Sequence, residues 1–211
     1  MRGRRLRRPF YARDPRTVAP ELLNKVLVHD GRAARIVEVE AYTGTDDPGS
    51  HAFRGETPRT RVMFGPAGHL YVYFTYGMHW CANAVCGPDG EAGAVLLRAA
   101  APLEGLDAMR LARPAARRER DLCSGPAKLC QAFGLDGAHG GADLTRADRG
   151  VTIVDDGTPP PVHPGVSTRI GLSAGVEHPW RWYVPDDPNV SSHPASPRRR
   201  GRPDGPTGAP R

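Results

Sequence analysis

The chain has 211 residues, enough for one domain with tails and for a buried core. Its net charge is +6. No apolar run approaches the ~20 residues of a membrane span, and no apolar stretch of a secretory signal follows the Arg-rich start. The sequence therefore predicts a soluble intracellular protein with no membrane partner. Gly (25) and Pro (22) are abundant but fall short of a low-complexity composition. Cys81, Cys86, Cys123 and Cys130 form no CxxC pair. They predict reduced, buried thiols rather than a disulfide framework or a zinc site.

The basic charge is concentrated at the ends. Residues 1–8 carry five Arg and no acid; residues 193–211 carry five Arg against Asp204, so the body between is net acidic. Such arms fit salt-sensitive attraction to a polyanion and fit solubilising tails equally well. Only Lys25 and Lys128 are lysines.

In chain order, Thr17 is expected to cap a short helix with Pro20 in its first turn, and Leu22 and Leu23 to face the core. Residues 26–29 and 35–42 read as strands around Asp30-Gly31, a hairpin-type turn. On the second, Val37, Val39 and Ala41 alternate with Glu38, Glu40 and Tyr42. Period two puts two carboxylates and a tyrosine on one face, as a plain edge strand would also do. Residues 43–63 form a long polar loop holding His51, Arg54, Arg59 and Arg61. A loop of that length in a compact domain is usually functional or disordered.

Residues 70–76 and 78–86 are β-rich and aromatic, with a hairpin tip at Tyr76-Gly77, and residues 93–99 form another apolar strand. A helix is expected over 102–112. A second starts at a Ser124 cap with Pro126 in its first turn, buries Leu129, Cys130 and Phe133, and ends at Gly134. Residues 151–154, 168–172 and 182–184 read as late strands. From Pro185 the chain reads as coil, mobile past Ser192.

No Walker loop, GxGxxG, HExxH or GxSxG is present. What remains is a carboxylate strand, a His/Arg loop and an aromatic hairpin within about sixty residues. A carboxylate can act as general base on water, aromatic faces can hold a flat ring, and an amide such as Asn83 can read a ring edge. An exposed aromatic at a hairpin tip can wedge between base pairs. Together these are the parts of an enzyme that extrudes a base and cuts its bond to sugar. Residues such as Tyr71, Tyr73 and Trp80 are more often core aromatics than a base sandwich, and one such as His51 is more often an ordinary loop histidine than a ligand.

The segments RIVEVEAY (35–42), LYVYFTYGM (70–78), VLLR (95–98) and LCSGPAKLC (122–130), with RIG (169–171) and WYV (182–184), resemble the alkyladenine (3-methyladenine) DNA glycosylase family in sequence and order. The resemblance spans about residues 14–192. It implies a basic N-terminal arm (1–13), a purine DNA glycosylase domain (14–192) and a Pro/Arg-rich, disordered tail (193–211). The implied fold is mixed α/β (α+β): a curved, largely antiparallel sheet with a protruding hairpin and flanking helices, related to a formyltransferase C-terminal domain.

The same resemblance implies a monofunctional N-glycosylase. Glu40 is the base, preferred over Glu38 because it precedes Ala41-Tyr42. Arg98 and the Ile170 carbonyl place the attacking water. Tyr42, His51 and Tyr73 sandwich the purine, Asn83 excludes guanine, Tyr76 intercalates, and Lys128, Arg59 and Arg61 contact the backbone. Substrates of the family are alkylated or deaminated purines: 3-methyladenine, 7-methylguanine, hypoxanthine and ethenoadenine. No cofactor or metal is implied. The partner is duplex DNA carrying damaged purines, the state a monomer, the location cytoplasmic or, in a bacterium, nucleoid-associated. Three departures stand out: a short 51–57 loop, His79-Trp80 where two other aromatics are usual, and a weak match over 134–168. A non-catalytic damaged-DNA-binding protein and a formyl-transfer module are the alternatives.

Overall fold

In the computed structural model, residues 3–191 are described. Their strands are β1 (Arg4–Arg5), β2 (Val26–His29), β3 (Arg32–Tyr42), β4 (Leu70–Thr75), β5 (His79–Val85), β6 (Ala94–Glu104), β7 (Val151–Asp155), β8 (Gly165–Ser167) and β9 (Arg181–Tyr183). The helices are α1 (Arg8–Tyr11), α2 (Pro15–Leu22), α3 (Leu106–Ala112) and α4 (Pro126–Phe133). All strand pairs are antiparallel, in the order β1-β7-β2-β3-β6-β5-β4, with β9 on β3 and β8 on β9. This is the mixed α/β domain with a curled antiparallel sheet that the resemblance implies.

Two tight turns organise the sheet. Asp30 and Gly31 take φ of 47° and 70°, and Tyr76 and Gly77 take 51° and 67°. Two successive positive φ values match the twist of a tight hairpin: Asp30 and Gly31 link β2 to β3, and Tyr76, Gly77 and Met78 link β4 to β5, where Thr75 pairs with His79. The second leaves Tyr76 81% exposed.

β3 is not an edge strand. β6 lies along one side; on the other, β2 pairs its first residues and β9 pairs Glu38–Glu40. Its register with β6 is irregular on both sides of Glu38. The main core accordingly takes Ile36, Val39 and Ala41, while Val37, expected beside Val39, is buried outside that core. A bulge shifts the alternation by one residue. The core lies between the sheet and α2 and α4, and includes Leu22, Leu23, Leu97, Leu129 and Phe133. All four cysteines are free and buried.

Several boundaries differ from expectation. α2 is capped by Asp14, which accepts from the Arg16 amide at 2.7 Å, with Pro15 in the first turn; Thr17 and Pro20 lie inside the helix. β6 runs to Glu104, so the helix expected from 102 begins at Leu106. Gly105 makes the corner at φ 75°, where a Cβ would meet the Gly31 carbonyl at 2.6 Å. Gly125, not Ser124, is the N-cap of α4; Ser124 Oγ instead accepts from Lys128 Nζ at 3.4 Å. Gly134 ends α4 in the left-handed conformation as expected.

Residues 168–172 are not a strand; the Ile170 amide bonds the Glu40 carboxylate instead of a ladder partner. The described part of the expected N-terminal arm is built into the domain. β1 pairs β7, Leu6 and Tyr11 are buried, and Arg8 pairs with Asp143 at 2.6 Å. The tail over 193–211 lies outside the described residues.

Candidate active site

Glu38 and Glu40 are both fully buried on β3, and their partners differ. Glu38 is saturated. Its Oε1 accepts from Arg98 Nε at 3.0 Å, Arg181 Nε at 2.7 Å and Ser191 Oγ at 2.9 Å; its Oε2 accepts from the Ser191 amide at 2.7 Å. Burial acts to raise its pKa, but the Arg98 and Arg181 charges and the Ser191 amide outweigh it and hold the carboxyl below its ordinary value. Glu40 Oε1 accepts from the Ile170 amide at 2.7 Å. Its Oε2 accepts from Tyr42 Oη at 2.9 Å and faces Arg98 Nη1 at 3.2 Å. Arg98 thus bridges the two carboxylates.

A cavity of about 300 Å³ opens beside Glu40. Tyr42, His51, Tyr73, Asn83, Arg98 and Ile170 line it, together with Tyr76 and Cys81. Glu40 itself is not on the wall. All three of its partners are, so its carboxylate sits one hydrogen bond behind the surface. Ile170 meets Glu40 through its N–H rather than through the carbonyl that the resemblance singles out.

The wall is built from strand periodicity and one loop. Tyr71 and Tyr73, two residues apart on β4, stack with ring centroids 5.6 Å apart. The 43–63 loop brings His51 edge-on to Tyr73 at 4.5 Å, with Nδ1 3.1 Å from Tyr71 Oη. His51 is exposed towards the cavity mouth. Partial desolvation against these rings, with the Arg59 charge adding to it, lowers its pKa from the ordinary histidine value. Burial pushes the Tyr42 hydroxyl up, and Glu40 pushes it further, so that group keeps its proton. Asn83, buried on β5, donates Nδ2 to the Tyr71 carbonyl at 3.1 Å.

The residues expected to contact a nucleic-acid backbone lie off this wall. Arg59 stands over the Tyr73 ring, 5.6 Å from its centroid. Arg61 is exposed and paired with Glu56 at 3.2 Å. Lys128 is in the first turn of α4, next to Pro126, which reaches the cavity.

Sequence reading missed Arg169. Its side chain is fully buried, bonds both oxygens of Asp47 at 2.5 and 2.7 Å, and donates to the carbonyls of Ala41 and Gly175. Its guanidinium lies 4.7 Å from the Tyr42 centroid and 5.0 Å from that of Trp180. One residue therefore backs the Tyr42 wall and, through its neighbour Ile170, fixes the amide on Glu40. No local sequence pattern announces these contacts, whose partners lie more than 120 residues away on Ala41 and Asp47; the fit is close, since a Cβ at Gly49 would come within 2.7 Å of Arg169 Nη2.

A family model described as methylpurine-DNA glycosylase matches residues 9–188. The chain belongs to the methylpurine-DNA glycosylase family. A Burkholderia lata protein named "Putative 3-methyladenine DNA glycosylase" is 58% identical over 90% of this chain and 92% of its own length. Proteins of the same name from Streptomyces avermitilis and Rhodopseudomonas palustris (strain BisB5) are 49% and 50% identical, over 92% and 85% of this chain and 95% and 86% of their own. Membership makes the chain a DNA glycosylase, an enzyme that binds DNA and hydrolyses base–sugar bonds. Among the described residues no cluster of three or more His, Cys, Asp or Glu could hold a metal ion, and no helix is long and apolar enough to cross a membrane.

Proposed function

We propose that this glycosylase acts as a monomer, removes alkylated or deaminated purines from duplex DNA, and uses a water activated by Glu40. The purine class takes in 3-methyladenine, 7-methylguanine, hypoxanthine and ethenoadenine. The observation that carries the reading is that the three partners of the buried Glu40 carboxylate all face one cavity of purine scale.

The damaged nucleotide swings out of the helix and its base enters between Tyr42 on one side and His51 and Tyr73 on the other. Flat faces favour stacking, and more so for a purine made cationic by alkylation at N3 or N7. Tyr76, exposed at the hairpin tip, fills the gap in the duplex and offsets part of the unstacking cost of a few kcal/mol. Asn83 crowds the exocyclic amine of an undamaged guanine. Lys128, Arg59 and Arg61 meet backbone phosphates.

A carboxylate has about four lone-pair sites. Ile170 takes one on Oε1; Tyr42 and Arg98 crowd Oε2. Oε1 is then the oxygen that receives the water, with the Ile170 carbonyl and Arg98 completing its orientation. The water oxygen bonds to C1′, the C1′–N9 bond breaks with its electron pair leaving on the base, and the water proton passes to Glu40. With no lysine at the cavity, hydrolysis goes through water and not through a covalent lysine adduct.

The test is chromatography of the bases released from a panel of duplexes carrying one lesion each. Release of damaged purines with an intact sugar–phosphate backbone is expected. Tight binding with no free base, or release of undamaged adenine alone, would contradict the reading.

A further inference from the structure

Glu38 is as buried as Glu40, two residues away, yet it is not part of the cavity wall and the hydrolysis above makes no use of it. It nevertheless sits inside a chain of alternating charges that ends on the base. Arg181 Nε lies 2.7 Å from Glu38, Glu38 lies 3.0 Å from Arg98 Nε, and Arg98 Nη1 lies 3.2 Å from Glu40. The side chains of all four are nearly or fully buried. Two carboxylates and two guanidiniums balance, and Arg98 is held at two of its nitrogens by two different carboxylates.

We propose that Glu38 is a positioning residue for hydrolysis, acting through Arg98: it fixes the direction of the guanidinium and takes up part of the charge that would otherwise fall on Glu40. The inference rests on the reading of Glu40 as the base. A base hydrogen-bonded to a cation is weakened in proportion to how undivided that cation's attraction is. With Glu38 ionised, Arg98 divides itself between two anions; Arg98 and the Ser191 amide favour that anion on their own, and Arg181 competes with Arg98 for it. Glu40 then accepts a proton from water more readily than it would beside an unshared arginine.

The other groups facing Glu40 do not supply this adjustment. Tyr42 from β3, Tyr73 from β4 and Cys81 from β5 are all pushed up by burial and stay neutral across the working range. The Ile170 amide carries no net charge. Arg169 faces Tyr42 and is matched by Asp47. A purely structural role for Glu38 is also available, since it pins Ser191 and Arg181 to β3. The two roles differ in what they do to the pH profile.

The experiment measures single-turnover base release against pH, with saturating full-length enzyme on a lesion duplex that the wild type cleaves. The variants are Glu38→Gln, Arg181→Gln and the pair combined. Removing the anion leaves Arg98 undivided, so the acid limb of the rate in Glu38→Gln moves to lower pH, by about one unit, and the plateau falls about tenfold. Affinity for the lesion duplex stays within about twofold, because no DNA contact is removed. Removing the outer cation frees Glu38 to hold Arg98 more strongly, so the limb in Arg181→Gln moves to higher pH. In the double variant charge balance returns and the limb lies near the wild-type position. Limbs that coincide in all four proteins, with only stability lost, would overturn the proposal. Where Glu38→Gln does not fold, Arg181→Gln decides alone: an upward shift supports the proposal and an unmoved limb overturns it. If Glu40→Gln still releases base, the reading of Glu40 has failed; if it does not, and the limbs coincide, this inference alone has failed.

Discussion

Two regions meet on β3, and they use similar residues to opposite ends. Around Glu38 every oxygen is met by protein: two arginines, an amide and a hydroxyl close over it, and two residues from the far end of the described chain are pinned in place. Around Glu40 the same burial is reached with a looser set. Its partners are a tyrosine, one amide and a shared arginine, and each of these also faces open volume. Burial therefore does not separate the two carboxylates. What separates them is that all of Glu40's partners look onto the cavity, whereas of Glu38's only the shared Arg98 does.

Arg169 is the sharpest place to press on that comparison, because it is sealed like the Glu38 partners but lies against a cavity wall. Arg169→Met strands Asp47 as an unpaired buried charge, and a loss of about 3–5 kcal/mol in urea unfolding is expected. A loss under ~1 kcal/mol, the usual worth of an exposed pair, would mean that the region behind Tyr42 is as loose as the cavity.

Next in size is Tyr42→Phe, which keeps the ring and removes the O–H donated to Glu40. A hydrogen bond to a charged group is worth about 1.5–3 kcal/mol, so the single-turnover rate should fall about 10–100-fold with lesion affinity unchanged. Equal loss of affinity and rate would place the hydroxyl in base binding.

Tyr76→Ala should weaken binding to a lesion duplex by about tenfold while leaving a single strand with the same lesion nearly unaffected, since only the duplex has a gap to fill. Equal losses in a titration of both would remove the wedge.

The smallest effect concerns His51, whose folded-state pKa is lowered by burial and then by Arg59. For a histidine lowered on folding, the stabilisation is complete above the unfolded value near 6.5 and is lost as pH falls through it. Wild type should lose slightly more stability between pH 7.5 and 5.5 than His51→Gln in paired urea titrations. An identical loss in the two proteins would show His51 as freely solvated.

Much of the Glu40 region was legible in the sequence because it rests on local patterns. Period two put Glu38, Glu40 and Tyr42 on one face, and two tight turns marked the hairpins. The Glu38 region was not legible in the same way. Its partners Arg181 and Ser191 lie more than 140 residues along the chain, and no local spacing announces such a contact. Arg169 escaped for the same reason, and the strand expected over 168–172 is absent, its Ile170 amide bonding Glu40 rather than a ladder partner. Helix starts were misplaced where two candidate caps stood close together: Asp14 outcompetes Thr17, and Gly125 stands where Ser124 was expected. The basic N-terminal segment reads as an arm by charge alone, yet Leu6 and Tyr11 anchor it.

The most direct test is base release and lesion-duplex binding measured side by side for Glu40→Gln, which keeps the shape of the side chain and removes its charge. The account predicts that base release disappears while the variant still binds the lesion duplex within a few-fold of wild type. Base release at the wild-type rate would contradict it.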